Sequence, residues 1–318
     1  MLPMADGGEG TVHALVSADN GILQEVEVTG PLGKKVKAQF GLYHQKQRAV
    51  LEMASASGIA LLDRNKLDPM KASTYGTGEL IRAILDMGIR HITIGIGGSA
   101  TVDGGAGMAQ ALGYRLLDAA GNELPPGGGA LCNLCTIDAG MADPRLAETE
   151  FCVACDVTSP LLGPEGAAAV FGPQKGATPE MIPVLEKGLS VLASVWKKQN
   201  MLDRVDAPGD GAAGGLGAGL KAFCKAVPES GAKLVMKALD FEKHLQGADL
   251  VITGEGRTDD QTEAGKICGE IANVSHRYNV PVLLLSGSLE GNLDSFLNTF
   301  DYAFSTSSGH TSLEATLA

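Results

Sequence analysis

Short apolar runs rich in β-branched residues recur along the chain at residues 92–96, 152–155, 250–253, 280–285 and 302–305, several ending in glycine or an acid. Runs of this length without polar alternation predict strands buried on both faces, as in a parallel sheet covered by helices. Helical periodicity falls between them, over residues 78–87, 105–112, 179–199, 215–223 and 265–278. The third of these starts with Thr178 as N-cap, Pro179 in the first turn and Glu180 behind it, and it carries Trp196, read as a core residue. The fold class that follows is α/β. Earlier, residues 23–40 and 49–53 alternate instead, around Gly30-Pro31-Leu32-Gly33, and predict an antiparallel meander. That change of style points to a second, smaller subdomain. Gly121 and residues 125–129 read as turn and loop, and no internal repeat is evident.

The chain has 318 residues, and a prior of about 150 residues per domain predicts two domains with a cleft between them. At 44% apolar and 19% charged residues it reads as a folded globular protein. A net charge of −12 with no basic run or stripe argues against nucleic acid and against an anionic membrane surface as partners. The longest apolar stretches fall far below the ~20 residues of a membrane helix, and the first residues lack the features of a secretory signal. A cytoplasmic address is expected, and Asn273-Val274-Ser275 then reads as a chance glycosylation sequon.

Four cysteines, Cys132, Cys135, Cys152 and Cys155, have the spacing of a four-cysteine zinc site. The second pair lies in a β-rich apolar run, where residues three apart point to opposite faces. Two sulfurs so placed do not converge on one ion, so reduced thiols are the expectation. The six histidines show no metal spacing.

The 43 glycines are nearly twice the usual share of about 7%. They gather with small hydroxyl residues and acids in five segments: residues 5–11, 95–105, 155–160, 211–217 and 254–259. Three of these directly follow an apolar strand, where the ligands of α/β sheets bind. In the second segment Gly97 and Gly98 would let the backbone approach a phosphate, Ser99 and Thr101 would offer hydroxyls, and the helix from Gly105 would present its N–H groups. The segment is neither Walker A nor the dinucleotide fingerprint. Its competing reading is a tight strand-to-helix turn. The acids Asp6, Glu9, Asp103, Asp156, Glu255 and Asp259 suit phosphoryl transfer, which needs Mg²⁺ on hard oxygen ligands and a carboxylate to take up a hydroxyl proton. Turn capping is the alternative for any one of them. Arg257, Lys266 and Lys175 are the cations near these segments, available for a phosphate or a substrate carboxylate.

Taken together, the stretches 5–11, 76–80, 95–113, 155–166 with 171–176, 211–217 and 249–261 resemble the glycerate kinase family, in particular the bacterial type that phosphorylates the 2-hydroxyl of D-glycerate. The resemblance implies two α/β domains: a Rossmann-like one with a mainly parallel sheet, assembled from residues 1–12 and 245–318, and an inserted one of residues 13–244. ATP and glycerate would meet in the cleft, with Mg²⁺. The implied catalytic candidates are Asp103, Asp156, Glu255 and Asp259, with Asp156 and Glu255 also as metal ligands. The nucleotide would lie against Gly97, Gly98, Ser99, Thr101, Gly104, Gly214 and Gly215. The substrate would meet Asp6, Gly7, Gly8, Glu9, Arg257 and Lys266. A homodimer is a further expectation. Family members begin upstream with a strand and an Asp-Ser-hydrophobic-Lys loop and continue through a final helix, so both pieces are expected to be missing from the sequence as given. An ATP-dependent glycerate 2-kinase is therefore the leading reading. A non-catalytic nucleotide or hydroxy-acid binding protein derived by truncation is the alternative. A nicotinamide oxidoreductase is disfavoured by the absent fingerprint.

Overall fold

The computed structural model describes residues 2–5, 7–8, 10–258, 267–289 and 298–306. The chain divides into two units, Gly7–Gly231 and a second made of Met1–Asp6 with Ala232–Ala318. Both are α/β in construction.

In the larger unit, helix α1 (Thr11–Ala18) precedes strands β1 (Ile22–Thr29), β2 (Lys35–Tyr43) and β3 (Arg48–Glu52). These form the predicted meander: β1 pairs antiparallel with β2 from Ile22↔Leu42 to Thr29↔Lys35, and β2 pairs antiparallel with β3. Two short bonds, Gly30 N to Lys34 O at 2.6 Å and Gly33 N to Gly30 O at 3.0 Å, close the turn between the first two strands. The meander does not stand apart as a subdomain. After α2 (Ala54–Ser57) and α3 (Tyr75–Asp86), strand β4 (His91–Gly95) pairs parallel with β3 from Ala49↔Ile92 to Glu52↔Gly95. Ala49, Val50 and Leu51 have no exposed surface, so β3 is covered on both faces and pairs at both edges. Alternation along one strand reports its faces, not its neighbour across the sheet.

Helix α4 (Ala106–Ala111) leads to the ribbon β5 (Arg115–Leu117) and β6 (Thr136–Asp138). Next come β7 (Glu150–Ala154), α5 (Ala167–Phe171), α6 (Met181–Lys198), α7 (Ala212–Cys224) and β8 (Val227–Glu229). The sheet has the order β1-β2-β3-β4-β7-β8, and from β3 onward every pairing is parallel. The carboxyl ends of β3, β4, β7 and β8 therefore lie at one end of the sheet. Helix α6 buries Leu185, Leu189, Leu192 and Trp196, spaced three or four apart, as one stripe. Trp196 packs in the core as its sequence context predicts, edge-on to Phe223 of α7 at 5.7 Å between ring centroids.

In the second unit, α8 (Gly231–Ala238) and α9 (Phe241–Leu245) precede β9 (Val251–Thr258), α10 (Ile267–Arg277), β10 (Val282–Leu289) and β11 (Tyr302–Ser305). The three strands are parallel in the order β11-β10-β9. Cys268 and Ala272 of α10 pack on Val282 and Leu284 of β10. Residues 254–258, part of the glycine- and acid-rich segment that follows the predicted strand, continue β9, with Glu255↔Ser286, Arg257↔Ser288 and Thr258↔Leu289 in register. Glycine is tolerated there because the strands approach closely: a Cβ on Gly287 would lie 2.4 Å from the Gly256 carbonyl oxygen.

Cys132, Cys135, Cys152 and Cys155 are free thiols. Cys152 Sγ donates to Glu229 on β8, and Cys155 Sγ to the Val157 carbonyl. Among the described residues, no group of three or more His, Cys, Asp or Glu is arranged to hold a metal, and no helix is long and apolar enough to cross a membrane.

Candidate active site

Three of the glycine-rich segments meet at the carboxyl end of the sheet in the larger unit. Gly7 lies against the last residue of β7, where an added Cβ would come within 2.6 Å of the Ala154 carbonyl oxygen. A Cβ on Gly95, the last residue of β4, would come within 2.6 Å of the Gly7 carbonyl oxygen, and one on Gly97 within 2.8 Å of the Gly8 Cα. The first turn of α1 holds this arrangement: Gly7 N donates to Thr11 Oγ1 at 3.1 Å, and Thr11 Oγ1 donates to the Gly8 carbonyl at 2.9 Å. Asp156, half-buried, leaves β7 two residues after Ala154. Glu52 ends β3 beside them, with its Cγ 3.5 Å from the same hypothetical Gly95 Cβ, and accepts from Val12 N at 2.9 Å.

From Gly97 the chain runs alongside α2, with Ile59 N donating to Gly98 O and Ala100 N to Ser57 O. It then turns inward. Lys175, from the 3-10 turn Pro173–Lys175, reaches this stretch from below and is 2% exposed. Its ammonium donates to Ser99 Oγ at 2.6 Å and to the Thr101 carbonyl at 2.8 Å. Burial pushes this lysine down to about 7, opposed by the charge of Asp103.

Asp103 has no exposed surface. Its Oδ2 accepts from Thr74 N at 2.8 Å, Thr74 Oγ1 at 2.9 Å and Gly107 N at 3.2 Å, and its Oδ1 accepts from Gly105 N at 3.2 Å. Burial raises its pKa, and these four donors pull it back. Ala106 N donates to the Asp103 carbonyl and Met108 N to Thr74 Oγ1, so the first N–H groups of α4 are all taken. The N-terminus that the sequence offers to a phosphate is thus filled by the protein's own carboxylate.

Two consequences are measurable. Asp103→Asn turns one acceptor into a donor facing an N–H group, and a loss of about 1–3 kcal/mol of stability is expected in urea unfolding. Lys175→Met should show a pH signature. The unfolded lysine titrates near 10.5 and the folded one near 7, so between those values the unfolded chain holds the extra proton and stability rises with pH. The burial cost is therefore greatest below 7, and the Met variant should gain Tm relative to the parent at about pH 6 compared with about pH 9. A Tm difference that stays constant over that range would show that Lys175 keeps its proton.

A model of the glycerate kinase family matches residues 1–318. The chain belongs to the glycerate kinase family. It is a kinase, 50% identical over 314 residues to a glycerate kinase of Bacillus subtilis, across 98% of this chain and 82% of that protein. It is 51% identical over 288 residues to a glycerate 2-kinase of Escherichia coli, across 91% of this chain and 76% of that one. A crystal structure from Salmonella typhimurium, provisionally named glycerate kinase 2, superposes with a TM-score of 0.85 at 50% identity, covering 96% of this chain and 80% of that one.

Within the kinase, the larger unit brings together Gly7, Gly8, Gly97, Gly98, Ser99 and Asp156. Thr101, Asp103 and Gly104 lie deeper, and Gly214 and Gly215 at the start of α7 pack beneath them: a Cβ on Gly215 would meet the Gly104 Cα at 3.1 Å, and Gly104 N donates to Gly214 O at 3.0 Å. These last three glycines serve close backbone packing rather than an open loop. Glu255 lies in the second unit, on β9, where it accepts from Thr258 Oγ1 at 3.0 Å. Asp6, Glu9, Asp259 and Lys266 lie outside the described residues, as does the side chain of Arg257.

Sequence reasoning passed over Thr74, Glu52 and the Asp210–Lys221 pair. Asp210 is fully buried, bonded to Lys221 Nζ at 2.6 Å and to Ala207 N at 2.9 Å. It steadies the turn whose Gly211 N donates to Ser159 O at 3.0 Å, on the segment that follows Asp156. Glu52 was legible as an acid ending an apolar strand; Thr74 carries no such signal. A separate cavity of about 1030 Å³ lies by the β1–β2 turn, lined by Pro31, Met70, Lys71 and Tyr75, and holds none of these residues.

Proposed function

We propose that this kinase transfers the γ-phosphoryl group of ATP to the 2-hydroxyl of D-glycerate, giving 2-phosphoglycerate and ADP. The observation that carries the reading is the meeting of Gly7, Gly8, Gly97 and Asp156 at the carboxyl ends of β4 and β7. Backbone without Cβ atoms lies there at the strand end that Asp156 follows by two residues, where open α/β sheets bind ligands. The relative named as a glycerate 2-kinase supports the acceptor and the position.

In this reading the backbone at Gly97 and Gly98 approaches the triphosphate, and the backbone at Gly7 and Gly8 receives the hydroxy acid. The substrate oxygen forms its bond to the γ-phosphorus as the bond to the bridging oxygen breaks, and the hydroxyl proton passes to a carboxylate, for which we take Asp156. Asp103, with both oxygens occupied in the interior, is assigned to positioning, not proton transfer. Mg²⁺ keeps several waters and needs only one or two carboxylates beside a polyphosphate. Asp156 has the hard-oxygen chemistry for it, and such an ion, when bound, would neutralise charge on the phosphoryl oxygens.

The test is ADP release from purified protein with ATP, Mg²⁺ and D-glycerate, with 2- and 3-phosphoglycerate separated afterwards. Formation of the 2-isomer is expected. No turnover, with ATP still raising Tm, would replace the reading with that of a nucleotide-binding protein.

A further inference from the structure

Lys175 is the buried cation nearest the proposed phosphate turn, yet at 2% exposure it cannot itself meet a ligand. Its bond to Ser99 is directional. Below about pH 7, where Lys175 is an ammonium, it has only donors to give, so Ser99 Oγ is the acceptor in the 2.6 Å contact. The serine's single hydroxyl proton cannot return along that line and must point elsewhere. Ser99 is 7% exposed, and among the described residues its hydroxyl donates to no protein acceptor. Two positions on, the Thr101 hydroxyl is also buried without a partner. Buried donors are normally satisfied. Here two lie in one turn, directly after the Gly97 and Gly98 backbone.

We propose that Lys175 is a positioning residue that acts through Ser99, fixing the serine hydroxyl proton toward a phosphoryl oxygen of the bound nucleotide. The inference rests on the kinase reading, in which the Gly97–Gly98 turn receives the triphosphate. Lys175 also donates to the Thr101 carbonyl at 2.8 Å, so one cation orients the serine and ties down the strand-exit loop that carries it. Charge on the lysine passes through the serine oxygen and makes its proton a stronger donor, while the lysine stays away from the ligand and from solvent.

The experiment is a double-mutant cycle on ATP affinity at about pH 6, where Lys175 is charged, with Ser99→Ala, Lys175→Met and the double variant, read by calorimetry and by the KM for ATP. Each single change is expected to weaken ATP binding by about 10- to 100-fold, the range for a hydrogen bond to a charged group. The double variant should fall within about threefold of the weaker single, because both changes remove the same interaction. Multiplicative effects, or an unchanged ATP affinity in Lys175→Met with only Tm altered, would show that the lysine is merely structural and would overturn the proposal. If Lys175→Met does not fold, Ser99→Ala alone decides: full ATP affinity in that variant removes the hydroxyl from the site. Because binding is measured without turnover, the two readings fail separately. A coupled cycle in a parent protein that does not phosphorylate glycerate keeps this proposal and ends the kinase one. An additive cycle in an active parent does the reverse.

Discussion

Asp156→Asn is expected to lower kcat with D-glycerate by about 10²- to 10⁴-fold, the usual worth of a positioned proton-transferring group. The amide keeps the size and most of the hydrogen-bonding shape of the carboxylate but loses its charge and basicity. Asp156 is half-buried at the exit of β7, two residues after Ala154, whose carbonyl is in close approach to Gly7. Tm should therefore move little, and the loss should fall on kcat and kcat/KM alike, the mark of an interaction made in the transition state. Initial rates at saturating ATP, with Tm as the control for folding, check it. A loss of less than about threefold would move the essential carboxylate elsewhere, with Glu52 beside Gly95 the next to test.

Gly214→Ala should be the most damaging of the glycine changes for stability. Gly214 has φ +70°, and an added Cβ would sit 1.9 Å from the Thr101 carbonyl oxygen and 2.7 Å from the Val102 Cα. Left-handed backbone costs an L-residue roughly 1–2 kcal/mol, and forcing a methyl into packed backbone costs about 1–3 kcal/mol or more. The sum, about 2–5 kcal/mol, is a large part of the 5–15 kcal/mol that typically holds a domain together. A fall in Tm on the order of 10 °C follows for a unit of this size. Gly121→Ala is the control: φ is +82° there, with nothing within 4 Å of the new Cβ, so only the backbone penalty applies. Equal losses in the two variants would show that the close approach to Thr101 carries no energy of its own.

The strands were legible because burial on both faces leaves an unbroken apolar run, and β4, β7 and β11 lie where those runs lie. Helix α6 was legible through its stripe, but it begins at Met181 with Glu180 at the N-cap position and no side-chain cap, so Thr178 is not the N-cap that the sequence predicts. Helix α1, by contrast, carries no such signal, because its first turn follows a glycine-rich segment and has no capping side chain. Residues 254–258 misled: glycine and acid residues resemble a loop, yet pairing to β10 keeps them extended. The join between the meander and β4 was invisible because strand order depends on which edges meet after folding.

By itself the sequence determined the α/β class, the family and the set of glycine-acid turns, because these rest on residue type and local periodicity. Only the tertiary structure separated Asp156 from Asp103. Both are aspartates in glycine-rich turns, and what distinguishes them is solvent access and the donors that surround them. Those donors come from far along the chain: Thr74 lies 29 residues from Asp103, and Lys175 lies 76 residues from Ser99. Charge and hydrogen bonding depend on distance in space, and spacing along the chain carries no record of it until the chain has folded.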